Sequence, residues 1–274
     1  MITYQHSNLH FAKNAVFLVE RCGRVSHLHW HDAVEFVYVL SGALSVTLNG
    51  TSFMAVSGDI IAVDSAMVHS YEPSEGGADY YFLVADDGFF KANNLYSQST
   101  SFEPLIRSDE ARRLFGEIIK ETEKGDRYSN VSTLSVLISL FVYMNRHHAR
   151  VGTDTPSSEK KRIALVRSAL VYIEEHYKER LSVGEIADAL HFSESYLSHT
   201  FKEITNYSVI SYINLLRCRN ARALILDGSS IGEAAEECGF SDLSYFTRVF
   251  KRSMGILPSE VEREIFSLTD TSAR

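Results

Sequence analysis

His27, His29 and His31 alternate along the chain, so on an extended strand all three side chains point to one face, and Glu35 keeps the same parity. His69, from a second extended run, would complete a group of His29, His31, Glu35 and His69. Imidazole nitrogens and a carboxylate oxygen suit zinc, nickel, iron or manganese, so the pattern permits a divalent metal site. The alternatives are histidines hydrogen-bonded within the fold or lining a pocket for an organic effector. Trp30, Tyr38 and Tyr81 are candidate walls of such a pocket.

The second chemical pattern is a duplication. Sliding residues 182 to 193 forward by 48 pairs Ser182 with Ser230, Gly184 with Gly232, Glu185 with Glu233, Ala187 with Ala235, Phe192 with Phe240 and Ser193 with Ser241. With one residue inserted, Tyr196 pairs with Tyr245, Phe201 with Phe250 and Lys202 with Lys251. Each copy opens with Ser-x-Gly-Glu, a capping box that starts a short helix. A break at His191 or Gly239 leads to a longer helix that ends at Asn206 or Gly255, residues suited to a left-handed cap.

Short helix, turn and longer helix is the helix-turn-helix plan, whose second helix enters the DNA major groove. Leu197 and Phe201 bury in the first copy, leaving Ser195, Ser198, His199 and Lys202 outward. Phe246 and Phe250 bury in the second, leaving Leu243, Ser244, Thr247, Arg248 and Lys251 outward. Arginine can read a guanine edge, and serine or threonine can serve a base or a phosphate. Residues 209 to 227 read as one helix of about 19 residues, roughly 28 Å, which would hold two readers about one DNA turn apart on a bent duplex.

These side chains need supporting elements. Residues 14 to 84 alternate apolar and polar residues in runs such as VEFVYVL, ALSVTLN and DYYFLVA, which predict strands. Asn49-Gly50 fits the positive φ angles of a type I′ hairpin turn. From Asp109 the period becomes helical, with helices around 110–124 and 130–148. The second carries Val131, Leu134, Ile138, Phe141 and Asn145 in a narrow seam that packs on its own domain or forms a dimer contact. Residues 151–161 read as a linker.

With 274 residues, 45% of them apolar, the chain has room for two domains. Its net charge of −8 argues against bulk electrostatic binding to nucleic acid, but most of the acidity lies in the first half. Cations still cluster at Lys202, Arg217, Arg219 and Arg222, and at Arg248, Lys251 and Arg252. Three widely spaced cysteines read as reduced thiols. No run is long enough for a membrane span and no leader opens the chain, so a cytoplasmic location is expected.

The stretch YINLLRCRNARALIL followed by SIGEAAEECGFSDLSYFTRVFKRSMGILPSE resembles the signature of the AraC/XylS family of transcription regulators, over roughly residues 163 to 265. The resemblance implies base contacts from Ser195, Ser198 and His199 and from Leu243, Ser244, Thr247 and Arg248, with Arg217 and Arg222, on a linker helix, as further DNA contacts. The chain departs from the family pattern after Pro258-Ser259, where Val261 and Glu262 replace an aromatic residue and an arginine. Upstream, Gly23-x5-His29-x-His31-x3-Glu35-x6-Gly42 and Gly58 followed by His69 are similar to the two cupin motifs, although Asp64, Ala66 and Pro73 depart from the second.

The implied fold class is α+β. A cupin-like β-barrel with a helical dimerisation element would occupy residues 1–150 and bind the effector. The linker 151–161 would follow, and then an all-α domain of two helix-turn-helix motifs over 162–274. The implied function is a ligand-responsive, sequence-specific regulator, an activator of a small-molecule or carbohydrate operon. Its partners would be double-stranded promoter DNA, a small-molecule effector, RNA polymerase and a second copy of the chain. The competing readings are a metal-dependent cupin enzyme with a DNA-binding appendage and a constitutive DNA-bending protein.

Overall fold

The computed structural model describes residues 17–96, 100–150 and 156–261. The chain divides into two compact units, Met1–Ile163 and Ala164–Arg274.

The first unit is built on strands β1 (Phe17–Cys22), β2 (Ser26–His29), β3 (Ala33–Leu48), β4 (Thr51–Val56), β5 (Ile60–Val63) and β6 (His69–Asp86). Helix α1 (Asp87–Ala92), strands β7 (Ser101–Phe102) and β8 (Leu105–Ile106), helices α2 (Asp109–Lys124) and α3 (Ser129–His147) and strand β9 (Ala149–Arg150) complete it. All pairing is antiparallel, in the order β1-β6-β3-β5-β8, with β2 on β6 and β4 on β3. Asn49 (φ 44°) and Gly50 (φ 86°) turn β3 into β4, as the Asn-Gly pair predicts.

Two of the predicted runs, 34–40 and 43–49, are parts of one strand. The β3–β6 register slips between Val39 and Ser41 and again between Gly42 and Leu44. An added Cβ at Gly42 (φ +74°) would lie 2.1 Å from the Gly77 carbonyl oxygen, so only glycine fits this crossing. The slip also switches parity. Val37 and Val39 before it, and Leu44, Val46 and Leu48 after it, all reach the interior with Tyr71, Tyr80, Phe82 and Val84.

The opposite face carries Val34, Phe36, Leu83 and Ala85. Against it pack Leu114, Phe115 and Ile118 of α2 and Leu137, Leu140, Phe141 and Met144 of α3. Phe141 stacks on Phe90 at 3.9 Å and meets Phe36 edge-on at 5.4 Å. The α3 seam is therefore split: Phe141 is core and Asn145 donates to the Leu95 and Phe141 carbonyls, while Val131 stays 72% exposed.

Helix α4 (Ser157–His176) precedes α5 (Val183–Ala189), α6 (Glu194–Thr205), α7 (Val209–Leu226), α8 (Ile231–Glu237) and α9 (Leu243–Met254). The expected linker 151–161 is too long at its end. Residues 157–161 are helical, because the Pro156 carbonyl accepts from the Glu159 and Lys160 amides and Arg162 pairs with Glu159. Residues 151–155 lie outside the described residues, as does Glu262.

Both capping boxes form, at Ser182 with Glu185 and at Ser230 with Glu233. Asn206 (φ 61°) and Gly255 (φ 77°) cap α6 and α9 in the left-handed conformation. The duplication extends to backbone hydrogen bonds: the Phe192 amide donates to the Ala187 carbonyl and the Phe240 amide to the Ala235 carbonyl, at 2.9 and 3.0 Å. Val261 packs in the core of the second copy with Phe240, Phe246 and Phe250. Among the described residues no helix is long and apolar enough to cross a membrane.

Candidate functional site

In the first unit, β2, the turn after it, β3 and β6 bring His29, His31, Glu35 and His69 together. One ligand atom from each lies within 4.8 Å of the others, and all four residues are buried. The imidazole centroids of His29 and His69 are 4.1 Å apart, and those of His31 and His69 are 5.0 Å apart.

Each ring is aimed by a backbone carbonyl. His29 Nδ1 lies 2.7 Å from the His27 carbonyl oxygen, His31 Nδ1 3.2 Å from that of Ala33, and His69 Nδ1 2.9 Å from that of Met67. A carbonyl oxygen can only accept, so each Nδ1 carries the proton and donates it. The surrounding loop is pinned as well. The Ala66 amide donates to the His31 carbonyl at 2.8 Å, and the Val68 amide donates to Asn49 Oδ1 at 3.0 Å.

The Nε2 atoms turn toward Glu35, whose Oε2 lies 2.9 Å from His31 Nε2 and 3.5 Å from His69 Nε2. Burial works to raise the Glu35 pKa, but the bonds and charges from His31 and His69 prevail and hold it well below the usual carboxylate range.

His27 does not join the group. The β2–β6 register slips between Ser26 and His29, so three steps on β2 span two on β6 and the alternation fails between those residues. Tyr38 and Tyr81 also depart from expectation. They pair across β3 and β6 on the face opposite Glu35, where Tyr38 meets the Phe115 ring at 5.4 Å and Tyr81 Oη donates to Glu123 Oε1 at 2.5 Å. They belong to the packing of the sheet on α2 and wall no pocket around the histidines. Trp30, between His29 and His31, is buried.

In the second unit, α6 buries Leu197, Phe201 and Ile204 and leaves Ser195, His199 and Lys202 exposed and Ser198 half-buried. Helix α9 buries Phe246 and Phe250 and leaves Leu243, Ser244, Arg248 and Lys251 exposed. Thr247 is half-buried, with Oγ1 donating to the Leu243 carbonyl at 2.9 Å. His199 Nε2 is 3.2 Å from Glu203 Oε1 one turn on. Arg252, of the same cation cluster, is exposed beside Lys251.

Arg217 is placed differently from the expectation of a DNA contact. It donates to the Tyr177 and Glu179 carbonyls at 2.7 and 2.6 Å and sits over the Phe240 ring at 5.7 Å. It ties α7 to the residues that follow α4 and to the turn of the second copy through its Nε and Nη2 atoms. Arg222 is half-buried on α7. Asn214 Nδ2, also on α7, donates to Tyr245 Oη at 3.0 Å and so helps set α9. Neither bond has a sequence signal, since both depend on where α7 crosses its neighbours. Burial pushes the thiols of Cys218 and Cys238 up to about 12 and 11, which makes them unreactive core residues.

Residues 15–141 match a family model described as an AraC-like ligand binding domain, and residues 186–264 match one described as a helix-turn-helix domain. Among curated relatives, the HTH-type transcriptional regulator YisR of Bacillus subtilis is 27% identical, covering 84% of this chain and 85% of the relative. The arabinose operon regulatory protein of Salmonella typhimurium is 27% identical, covering 77% of each chain. The HTH-type transcriptional activator RhaR of Pectobacterium atrosepticum is 27% identical, covering 93% of each.

Proposed function

Because the chain belongs to the AraC/XylS family of transcription regulators, with a ligand-binding domain ahead of its helix-turn-helix domain, we propose that it activates a promoter in response to a small molecule. The observation that carries the DNA half of this reading is the repeated, equally capped unit with two polar helix faces left open, on α6 and α9. Ser195, Ser198, His199 and Lys202 would face one major-groove segment. Leu243, Ser244, Thr247, Arg248 and Lys251 would face the next, and Arg222 would approach phosphate. Arg217 is left out, since its donors hold the domain together.

The division of labour follows the sequence: residues 1–150 sense and dimerise, and residues 162–274 read DNA. The part of the α3 seam left outside the core, exposed at Val131 and half-buried at Leu134, supports a homodimer contact. The name of one relative, an arabinose operon regulatory protein, supports a carbohydrate-related effector, and that of another, the transcriptional activator RhaR, supports activation, for which RNA polymerase would be the partner. The effector reaches the reading helices by preferring one arrangement of the chain, since equal affinity for two arrangements shifts nothing.

The test is selection of duplexes from a random DNA pool by the full chain. Two enriched blocks about 10 base pairs apart are expected from tandem readers on one face of the duplex. No enriched sequence, or a single short block, would overturn the tandem reading. A reporter driven by the selected site, screened with free sugars, then tests activation and effector class.

A further inference from the structure

We propose that the two readers are unequal: α9 determines which sequence is bound, chiefly through Arg248, while α6 settles on its stretch of duplex with weak preference among bases. This rests on the reading of the second unit as a tandem DNA reader and deepens it by assigning the specificity.

The duplication makes the comparison direct, because the two helix faces carry different charges. Along α6, Glu194 stands one turn before Ser198 and Glu203 one turn after His199, and both carboxylates are exposed. His199 Nε2 lies 3.2 Å from Glu203 Oε1, so a carboxylate on its own helix engages the ring. Carboxylates beside a phosphate chain oppose binding, and the hydroxyls of Ser195 and Ser198 serve either a base or a phosphate. Along α9 no carboxylate lies between Leu243 and Met254, and Arg248, Lys251 and Arg252 are all exposed. The Asp242 carboxylate is turned back onto the helix, where it accepts from the Tyr245 amide. Arg248 offers the planar fork that takes both acceptors of a guanine edge, and α6 has no arginine.

The second reader is also held more firmly. Asn214 Nδ2 of α7 donates to Tyr245 Oη at 3.0 Å, and the Tyr245 ring lies 5.9 Å from the Arg248 guanidinium. The same ring meets Phe240, which is 6% exposed beneath the Arg217 guanidinium. Arg217 in turn is fixed on the carbonyls of Tyr177 and Glu179. The equivalent pair of the first copy, Phe192 and Tyr196, stack at 5.7 Å, but Phe192 is 44% exposed. A side chain favours one base over another only when its aim is fixed, so Asn214 and Tyr245 act as positioning residues for Arg248.

The experiment uses the full chain and the duplex it selects from a random pool. A strong block and a weaker one about 10 base pairs away are expected. Scrambling the strong block should weaken wild-type binding about 30-fold or more, and scrambling the other less than about fivefold. Repeating the selection with Arg248→Ala should erase the preference at one position of the strong block, whereas Ser198→Ala with His199→Ala should leave that block unchanged. Tyr245→Phe keeps the ring and removes the hydroxyl, so it should lower the ratio of selected to random binding about threefold, with random-duplex affinity unchanged. Two blocks that cost the same when scrambled, or a strong block altered by the α6 variant and not by Arg248→Ala, overturn the inequality and leave the tandem reading standing. An unchanged ratio in Tyr245→Phe overturns the positioning role. No enriched sequence, or one block alone, overturns the tandem reading itself and this assignment with it.

Discussion

An added Cβ on Gly239 would lie 2.5 Å from the carbonyl oxygen of Lys178, and Gly239 itself has φ +82°. The turn of the second helix-turn-helix unit is thus pressed against the backbone that follows α4. The equivalent turn residue of the first unit, His191, shares the left-handed conformation at φ 61° but is exposed. Gly239→Ala should therefore cost roughly 2 to 5 kcal/mol, from about 1 to 2 of backbone strain and about 1 to 3 of overpacking. His191→Gly should stay within about 1 kcal/mol of wild type. Denaturant melts of both variants check this, and a Gly239→Ala loss of only about 1 to 2 kcal/mol would mean that the left-handed backbone alone, and not the close approach of Lys178, sets the requirement.

Arg217 and Arg248 are both arginines of the DNA-reading unit, and they should fail in different ways. Arg217 is bonded to the Tyr177 and Glu179 carbonyls, so Arg217→Ala should lower folding stability by about 2 kcal/mol. Arg248 is exposed, with its guanidinium 5.9 Å from the Tyr245 ring. Arg248→Ala should leave stability within about 0.5 kcal/mol and weaken selected-site binding by about 1 to 3 kcal/mol. Melting curves and binding isotherms on selected and random duplexes separate the two. An equal loss on random DNA would make Arg248 a phosphate contact.

What could be read from the sequence was whatever is encoded locally. The capping boxes, the Asn49-Gly50 turn and the left-handed caps at Asn206 and Gly255 each need only a few neighbouring residues, and the duplication shows them twice. The convergence of His29, His31, Glu35 and His69 was legible only in part, because parity along a single strand was the argument, whereas His29 ends β2, His31 lies in the turn after it and Glu35 is on β3. His27 was misplaced because the bulge on β2 leaves no mark in residue type. Tyr38 was partly legible, since it lies three residues from Glu35 and must face the other side of β3. Tyr81 needed the Tyr38 register as well. Arg217 was not legible, because its partners are backbone carbonyls 40 and 38 residues away.

The proposed dimer contact can be tested on α3 without touching the core. Val131 is 72% exposed and Leu134 half-buried, whereas Leu137, Leu140, Phe141 and Met144 carry the packing on the sheet. A Val131→Glu and Leu134→Glu double variant of the full chain should run as a monomer by light scattering, with a melting temperature close to that of the wild-type monomeric state. A variant that remains dimeric places the contact on another surface.

Asp64 offers a pH test with a direction opposite to the usual carboxylate. Its side chain accepts from Ser101 Oγ at 2.9 Å and from the Phe102 amide at 3.2 Å, next to the β7–β9 pair. Burial is the larger influence and pushes its pKa from 3.8 up to about 6, against the lowering effect of those two bonds and of Arg150. Between these values the folded chain holds more protons at this group than the unfolded chain does, so the group lowers stability as pH rises from about 4 to about 6 and costs most above that. Asp64→Asn keeps an acceptor oxygen and removes the charge. It should be more stable than wild type at pH 7 by about 1 to 3 kcal/mol, with the difference fading toward pH 4. Urea melts of both proteins across that range measure it. A variant less stable than wild type at pH 7 would show that Asp64 is held as a charge by Arg150 and its two donors more strongly than burial disfavours it.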